Sequence, residues 1–174
     1  RNRRRSAQAL IRPPGGAPGA LMTSSMNTVR IIGGAWKRRQ LRLPDALGLR
    51  PTPDRVRETL FNWLGQDLSG RRCLDLFAGS GALGFEAASR GAARVVMVEQ
   101  SPAVAAALEN NARLLAAGNR LRIVRGDALK SAPSLSSAEA RFDVVFLDPP
   151  FRQGWLERLT PLLPGLLADD GDLY

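Results

Sequence analysis

Asp75-Leu76-Phe77-Ala78-Gly79-Ser80-Gly81-Ala82-Leu83-Gly84 is a glycine-rich segment that grows out of a short apolar run starting at Cys73. Cys73 to Phe77 reads as a buried strand and Gly84 to Ser89 as the core of the following helix, so the glycines fall at a strand-to-helix turn. Outward from this unit the alternation is regular. Arg94 to Glu99 reads as a strand, Pro102 to Ala117 as an alanine-rich helix stopped by Gly118, and Leu121 to Val124 as a strand. Phe142 to Leu147 is expected to be the next strand, Trp155 to Leu163 a helix, and Asp172-Leu173-Tyr174 the beginning of one more strand. This spacing implies right-handed crossovers, an α/β class, and a mostly parallel central sheet with helices on both faces. Ligands of such sheets sit at the carboxyl ends of the strands, where Asp75, Glu99, Asp127 and Asp148 all fall.

Gly79-Ser80-Gly81-Ala82-Leu83-Gly84 satisfies G-x-G-x-x-G, and Glu99 follows twenty residues after Gly79, so a dinucleotide site is one reading. Asp75 argues against it. A carboxylate at the end of that strand would repel a pyrophosphate seated on the helix N-terminus. S-adenosylmethionine instead offers an ammonium and a sulfonium, to which an acid is attractive. Glu99 is suited to accept from both ribose hydroxyls, and Asp127 to meet the adenine amine with the Ala128 N–H near the ring. The competing reading of each acid alone is a helix cap or a surface loop charge. Four at consecutive strand ends favour the ligand.

Asp148-Pro149-Pro150-Phe151 closes the strand from Phe142 with a carboxylate, two rigid prolines and an aromatic ring. Asp148 and the Pro149 carbonyl can accept the two N–H groups of a planar amine, prolines set the carbonyl direction in advance, and Phe151 can stack on the base. The chemistry suggested is methyl transfer to a base amine, with Asp148, Pro149, Pro150 and Phe151 as the catalytic set. An ordinary turn is the bland alternative.

At 174 residues the chain is expected to form one domain with a core of its own. It has one cysteine and no histidine, which leaves no disulfide framework, no expected zinc site and no histidine base. Cys73, beside Leu74, reads as a small buried hydrophobe. No apolar run reaches the ~20 residues of a membrane span, and Gln8 and Arg12 cut the stretch after the basic start too short for a secretion signal. A cytoplasmic protein, monomeric by default, is expected.

The net charge of +9 is unevenly placed. Residues 1 to 57 carry thirteen Lys/Arg against Asp45 and Asp54, a net +11, and residues 58 to 174 carry twelve against fourteen acids, a net −2. Localised positive charge of this kind favours a polyanionic partner. Residues 1 to 25, rich in Arg, Pro, Gly, Ser and Ala, read as a disordered basic arm before a domain at 26 to 174, with Met22 and Met26 both plausible starts. Val29-Arg30-Ile31-Ile32, Gly33-Gly34 and then Ala35 to Leu43 read as two short strands about a glycine turn, decorated by Lys37, Arg38, Arg39 and Arg42. Trp36 is either a core anchor or a base-stacking ring, the former favoured. After the turn residues from Arg50, Val56, Leu60, Phe61 and Leu64 share a helical face, with Asp54 as N-cap and Gly65 as the stop. Hairpin and helix thus occupy 28 to 65, and the catalytic core 71 to 174.

Arg30-Ile31-Ile32-Gly33-Gly34-Ala35-Trp36, the run from Leu49 to Leu64, Asp75 to Gly84 and Asp148 to Phe151 together resemble the class I methyltransferases, and more closely the bacterial RsmD family, which methylates a guanine N2 in 16S ribosomal RNA. The resemblance spans residues 28 to 174. It implies a Rossmann-like fold, S-adenosylmethionine as cofactor, and 16S rRNA or an assembling small subunit as partner. Asp75, Phe77, Gly79 and Gly81, with Ala78 and Ser80 between them, would line the methionine end of the cofactor, Glu99 would hold its ribose and Asp127 its adenine. Arg50 to Phe61 would cover the cofactor, and Arg30, Lys37, Arg38, Arg39, Arg42, Arg50 and Arg55 would receive RNA. The long arm, and C-terminal strands that the family has and this sequence lacks, depart from the pattern. Competing readings are methylation of another planar amine, such as adenine N6 or a glutamine side chain, a catalytically silent RNA-binding protein and, last, a nicotinamide oxidoreductase.

Overall fold

The computed structural model describes residues 28–44, 51–150 and 153–174. The basic arm, Arg50 and Phe151 lie outside the described residues. Five parallel strands form the central sheet: β3 (Arg72–Asp75), β4 (Arg94–Glu99), β5 (Leu121–Arg125), β6 (Phe142–Phe146) and β7 (Leu167–Leu173), in the order β5-β4-β3-β6-β7. The chain builds outward from β3 through β4 to β5, then returns to lay β6 on the other side of β3. The order therefore reverses between β3 and β6, the point above whose carboxyl ends sheets of this kind hold their ligands.

Alternation along the strands divides two cores. Cys73, Val95, Met97 and Val144 face one side, and Leu74, Val96, Val98 and Val145 the other. The first side is covered by α2 (Ala82–Ser89) and α3 (Pro102–Leu114), together with α1 (Asp54–Leu64) and an antiparallel hairpin of β1 (Thr28–Arg30) and β2 (Gln40–Arg42). The second side is covered by α4 (Ala128–Ala138) and the short helices α5 (Trp155–Leu159) and α6 (Leu163–Leu166). Strands buried on both faces explain why β4 and β6 read as continuous apolar runs.

Several expectations are corrected. The second hairpin strand is three residues long, and Gly33 to Arg38 form turns instead. Gly34 has φ +74°, and a Cβ there would lie 1.9 Å from the Ser89 carbonyl oxygen, so this loop is shaped to dock on the end of α2. Trp36 is half-buried against the core, with the Arg120 guanidinium 5.8 Å from its ring. Pro53, not Asp54, precedes the first turn of α1. Asp54 instead pairs with Arg57 (2.5 Å) and Arg30 (3.0 Å). Partial burial works against its charge, but the two guanidiniums hold the carboxyl below its usual range. Phe61 and Leu64 are buried and Leu60 packs against the core as expected, but Val56 is 54% exposed while Arg57, outside the expected apolar face, is 1% exposed. The α3 helix ends at Leu114, and Gly118 opens a 3-10 turn to Arg120. The α4 helix, for which the sequence reading has no counterpart, starts from Asp127 and carries Pro133 inside. Pro161 and Pro164 break the expected helix after Trp155 into α5, a 3-10 turn and α6.

The burial of Arg57 has one cause, which is Glu86. This residue of α2 is fully buried, and its carboxylate accepts from Ile32 N (2.8 Å), Gly33 N (2.7 Å), Arg90 Nε (2.9 Å) and Arg57 Nη1 (3.4 Å). Arg57 spends its other donors on the carbonyls of Thr52 (3.2 Å) and Arg30 (2.9 Å) and on Asp54. Removing one member strands the others without water, so Glu86→Ala is expected to cost about 3–5 kcal/mol of stability in urea unfolding.

At the amino edge of the sheet Glu139 receives Arg72 (2.9 Å), Arg94 (3.0 Å) and Arg122 (2.7 Å). Burial opposes its charge, but the hydrogen bonds from Arg94 and Arg122 prevail and hold the carboxyl down at about 2. A depressed folded-state value means that this stabilisation is complete above the ordinary glutamate value of 4.5 and is lost as pH falls from there to about 2. Glu139→Gln should lower the urea midpoint at neutral pH and flatten its decline between pH 4.5 and 2.

Candidate active site

The crevice between β3 and β6 is built by two turns. After β3 the chain stays in register with its neighbours, Leu76 N donating to Phe146 O (3.2 Å) and Ala78 N to Val98 O (2.9 Å), before it bends into α2. Gly81 makes that bend at φ +74°, where a Cβ would sit 2.6 Å from Leu108 Cδ2 and 2.7 Å from the Phe85 ring. Ala78 and Ser80 are buried in the same turn, and Ser80 Oγ accepts from Ala82 N (3.3 Å). Glu99, at the tip of β4, accepts from Gly79 N (2.9 Å) and Ser101 N (2.7 Å), one donor on each carboxylate oxygen. It pins the glycine turn to the neighbouring strand and keeps lone pairs for a further donor.

Asp75 is the unusual member. It is 1% exposed, and among the described residues neither carboxylate oxygen has a hydrogen-bond partner. Burial pushes its carboxyl up to about 7. The N–H groups of Phe77 and Gly84 are near enough to oppose this without reaching hydrogen-bond geometry, and the charges of Asp148 and Glu99 reinforce it. The three acids therefore share one electrostatic neighbourhood at the carboxyl edge. A buried carboxylate with no donor is costly unless a proton or a ligand cation meets it.

Asp148, two residues past β6, is exposed, and Thr52 Oγ1 donates to its Oδ2 at 3.4 Å. The peptide bonds to Pro149 and Pro150 are trans. Asp127 caps α4, its Oδ1 accepting from Lys130 N (3.1 Å), and Ala128 is the buried first residue of that helix. Phe77 meets the edge of the Trp155 ring at a centroid distance of 5.2 Å. Trp155 and Glu86 are absent from the sequence-derived site, and Thr52 and Arg57 enter it only as part of the run Arg50 to Phe61. Two signals point to them: Thr52 stands between two prolines, and Glu86 is an acid in an otherwise apolar helix.

The basic residues do not converge. Gly34 packs on the end of α2 and Arg39 donates to Leu114 O (3.2 Å) at the end of α3. Both helices run from the carboxyl edge back to the amino edge, so Lys37, Arg38 and Arg39 lie at the edge away from Asp148. Arg30 is paired with Asp54, and Arg42 joins α3 through its backbone, which exchanges hydrogen bonds with the buried Asn111 side chain. Among the described residues Lys37, Arg38, Arg42 and Arg55 make no ion pair. Nor is any group of three His, Cys, Asp or Glu arranged there to hold a metal ion, and no helix is long and apolar enough to cross a membrane.

The raised Asp75 carboxyl has a measurable consequence. A folded-state value above the ordinary 3.8 means that ligand-free stability is greatest below that value and falls as pH rises toward about 7. Asp75→Asn removes this loss, so its melting temperature relative to the parent should be higher at pH 8 than at pH 4.

Residues 29–174 match the family model described as conserved hypothetical protein 95. The chain is 48% identical over 153 residues to the ribosomal RNA small subunit methyltransferase D of Escherichia coli K12, covering 87% of this chain and 75% of that protein. It is 44% identical over 135 residues to the protein of the same name from Haemophilus influenzae, covering 78% of this chain and 70% of that one. Among solved structures, the putative methyltransferase yhhF of Escherichia coli superposes with a TM-score of 0.69 at 47% identity, covering 85% of this chain and 76% of that one. A chain with this crevice, this order of strands and these relatives is a methyltransferase, and it belongs to the conserved hypothetical protein 95 family together with the small-subunit ribosomal RNA methyltransferases D.

Proposed function

We propose that the protein transfers the methyl group of S-adenosylmethionine to the exocyclic N2 amine of a guanine in 16S ribosomal RNA. The observation that carries this reading is Asp75, a buried carboxylate without a donor, in the same electrostatic neighbourhood as Asp148 and Glu99. Such an orphan fits a cationic ligand, and the ammonium of S-adenosylmethionine is one. Glu99, with one backbone donor on each oxygen, has the remaining capacity that a ribose diol requires. Asp127 engages one oxygen in capping α4 and would use the other for the adenine amine, with the Ala128 N–H near the ring. Phe77, Ala78, Gly79, Ser80 and Gly81 would line the methionine end. The names of the relatives support rRNA as the substrate class.

When bound, the cofactor supplies an electrophilic methyl group on a sulfonium. The residues of the chain have the harder task, because the guanine amine is a poor nucleophile whose lone pair is drawn into the ring. Asp148 accepts one amine N–H and the Pro149 carbonyl the other, which draws the nitrogen toward tetrahedral geometry and frees its lone pair. Pro150 restricts the residue before it and so steadies that carbonyl. Phe151 stacks on the base. Positioning and electrostatics then carry the rate, and the proton leaves to Asp148 or to water. Arg30, Lys37, Arg38, Arg39, Arg42, Arg50 and Arg55 would hold RNA phosphates. The 13 residues of α3 span about 20 Å, so an RNA reaching both Asp148 and Arg39 lies along one whole face of the sheet. The protein acts as a cytoplasmic monomer in this reading.

Incubation with methyl-labelled cofactor and, separately, 16S rRNA, small subunits, DNA and protein tests the proposal. Label is expected on guanine N2 of the rRNA, and label on adenine N6 or on glutamine would overturn it. Asp148→Ala should lower turnover by at least about 100-fold while the cofactor Kd stays within about threefold.

A further inference from the structure

We infer that Thr52 is a positioning residue for Asp148, supplying a hydrogen bond that Pro150, two residues on, has no N–H to make; the inference rests on the methyl-transfer reading above. A carboxylate at the end of a strand is ordinarily oriented by backbone N–H groups two or three residues further on. The protein shows this twice at the same sheet edge. Glu99 accepts from Ser101 N, two residues on, at 2.7 Å, and Asp127 accepts from Lys130 N, three residues on, at 3.1 Å. At Asp148 the residue two further on is Pro150, which has no N–H to give, so the bond that Ser101 N makes to Glu99 has no counterpart there. The donor comes instead from 96 residues away, as Thr52 Oγ1 donates to Asp148 Oδ2 at 3.4 Å.

Thr52 is itself held still. It lies between Pro51 and Pro53, and a residue before proline is kept in extended backbone. Its carbonyl accepts from Arg57 Nε at 3.2 Å, and Arg57 is 1% exposed, with its remaining donors on Arg30 O, Asp54 and Glu86. The hydroxyl is therefore aimed by a buried guanidinium anchored to α2, the helix that opens at the glycine turn. Occupying Oδ2 leaves Oδ1 to accept from the amine. Asp148 is exposed, so without Thr52 its side chain has several rotamers open to it and no neighbour among the described residues to choose between them. Thr52 touches only Asp148 in this scheme, and Arg57 acts one step further back.

The test compares Thr52→Val, which keeps shape and removes the donor, with Thr52→Ser, which keeps the donor, in the full chain on 16S rRNA. T52V should lose about 10- to 100-fold in kcat with the KM for cofactor unchanged. T52S should keep turnover within about threefold. Adding T52V to D148A should lower turnover no further than D148A alone, because the two act through one contact. If T52V lowers the melting temperature, Thr52→Ala provides the same comparison without the added methyl. Parental kcat in T52V, or equal losses in T52V and T52S, would overturn the inference. A parent that leaves guanine N2 unmodified would overturn the underlying reading together with it, whereas an active parent with an indifferent T52V overturns this inference alone.

Discussion

The carboxylate of Glu86 has no access to water and collects donors from three separate parts of the chain: the turn at Ile32 and Gly33, Arg57 on α1, and Arg90 on its own helix. A charge in that position cannot be left partly matched, because each missing donor exposes the desolvation cost of the group. The hairpin, the first helix and the glycine-turn helix are consequently held in one relation. Everything at the carboxyl edge inherits it, since α2 starts where the glycine turn ends and Arg57 fixes the strand of chain that reaches Asp148. The constraint is electrostatic, and it is why a guanidinium rather than an aliphatic side chain occupies the inner face of α1.

Asp75 presents the opposite case. Glu86 is saturated and stabilises the fold through its partners, whereas Asp75 is as deeply buried and has none among the described residues. The two acids stand on consecutive elements and separate scaffold from site by their hydrogen-bonding alone. Groups held at a cost to the resting fold are where ligand binding has something to gain.

Much of this was legible in the sequence. The limits of β4 and the start of β6 follow from apolar runs buried on both faces, and the four acids were placed because they fall at the carboxyl ends of consecutive strands. What was not legible depends on partners remote in sequence. Val56 and Arg57 exchange faces because Glu86 lies 29 residues away, and the role of Gly34 is visible only once Ser89 is beside it. Helix α4 holds a proline and four serines in eleven residues, a composition whose local preference is for turns, and packing of Ala132 and Leu135 on the sheet overrides it. The placement of Lys37 to Arg39 at the far edge could not be read from charge, because a basic run has no direction until its hairpin is docked.

All the partners of Glu86 lie within residues 32 to 90, whereas the contact between Thr52 and Asp148 joins segments 96 residues apart. A chain emerging from the ribosome thus has the whole of its buried ionic hub available long before the strand that ends in Asp148 has been made. The hub that positions α1 and α2 is thus complete in the chain before the segment it helps to position has been made.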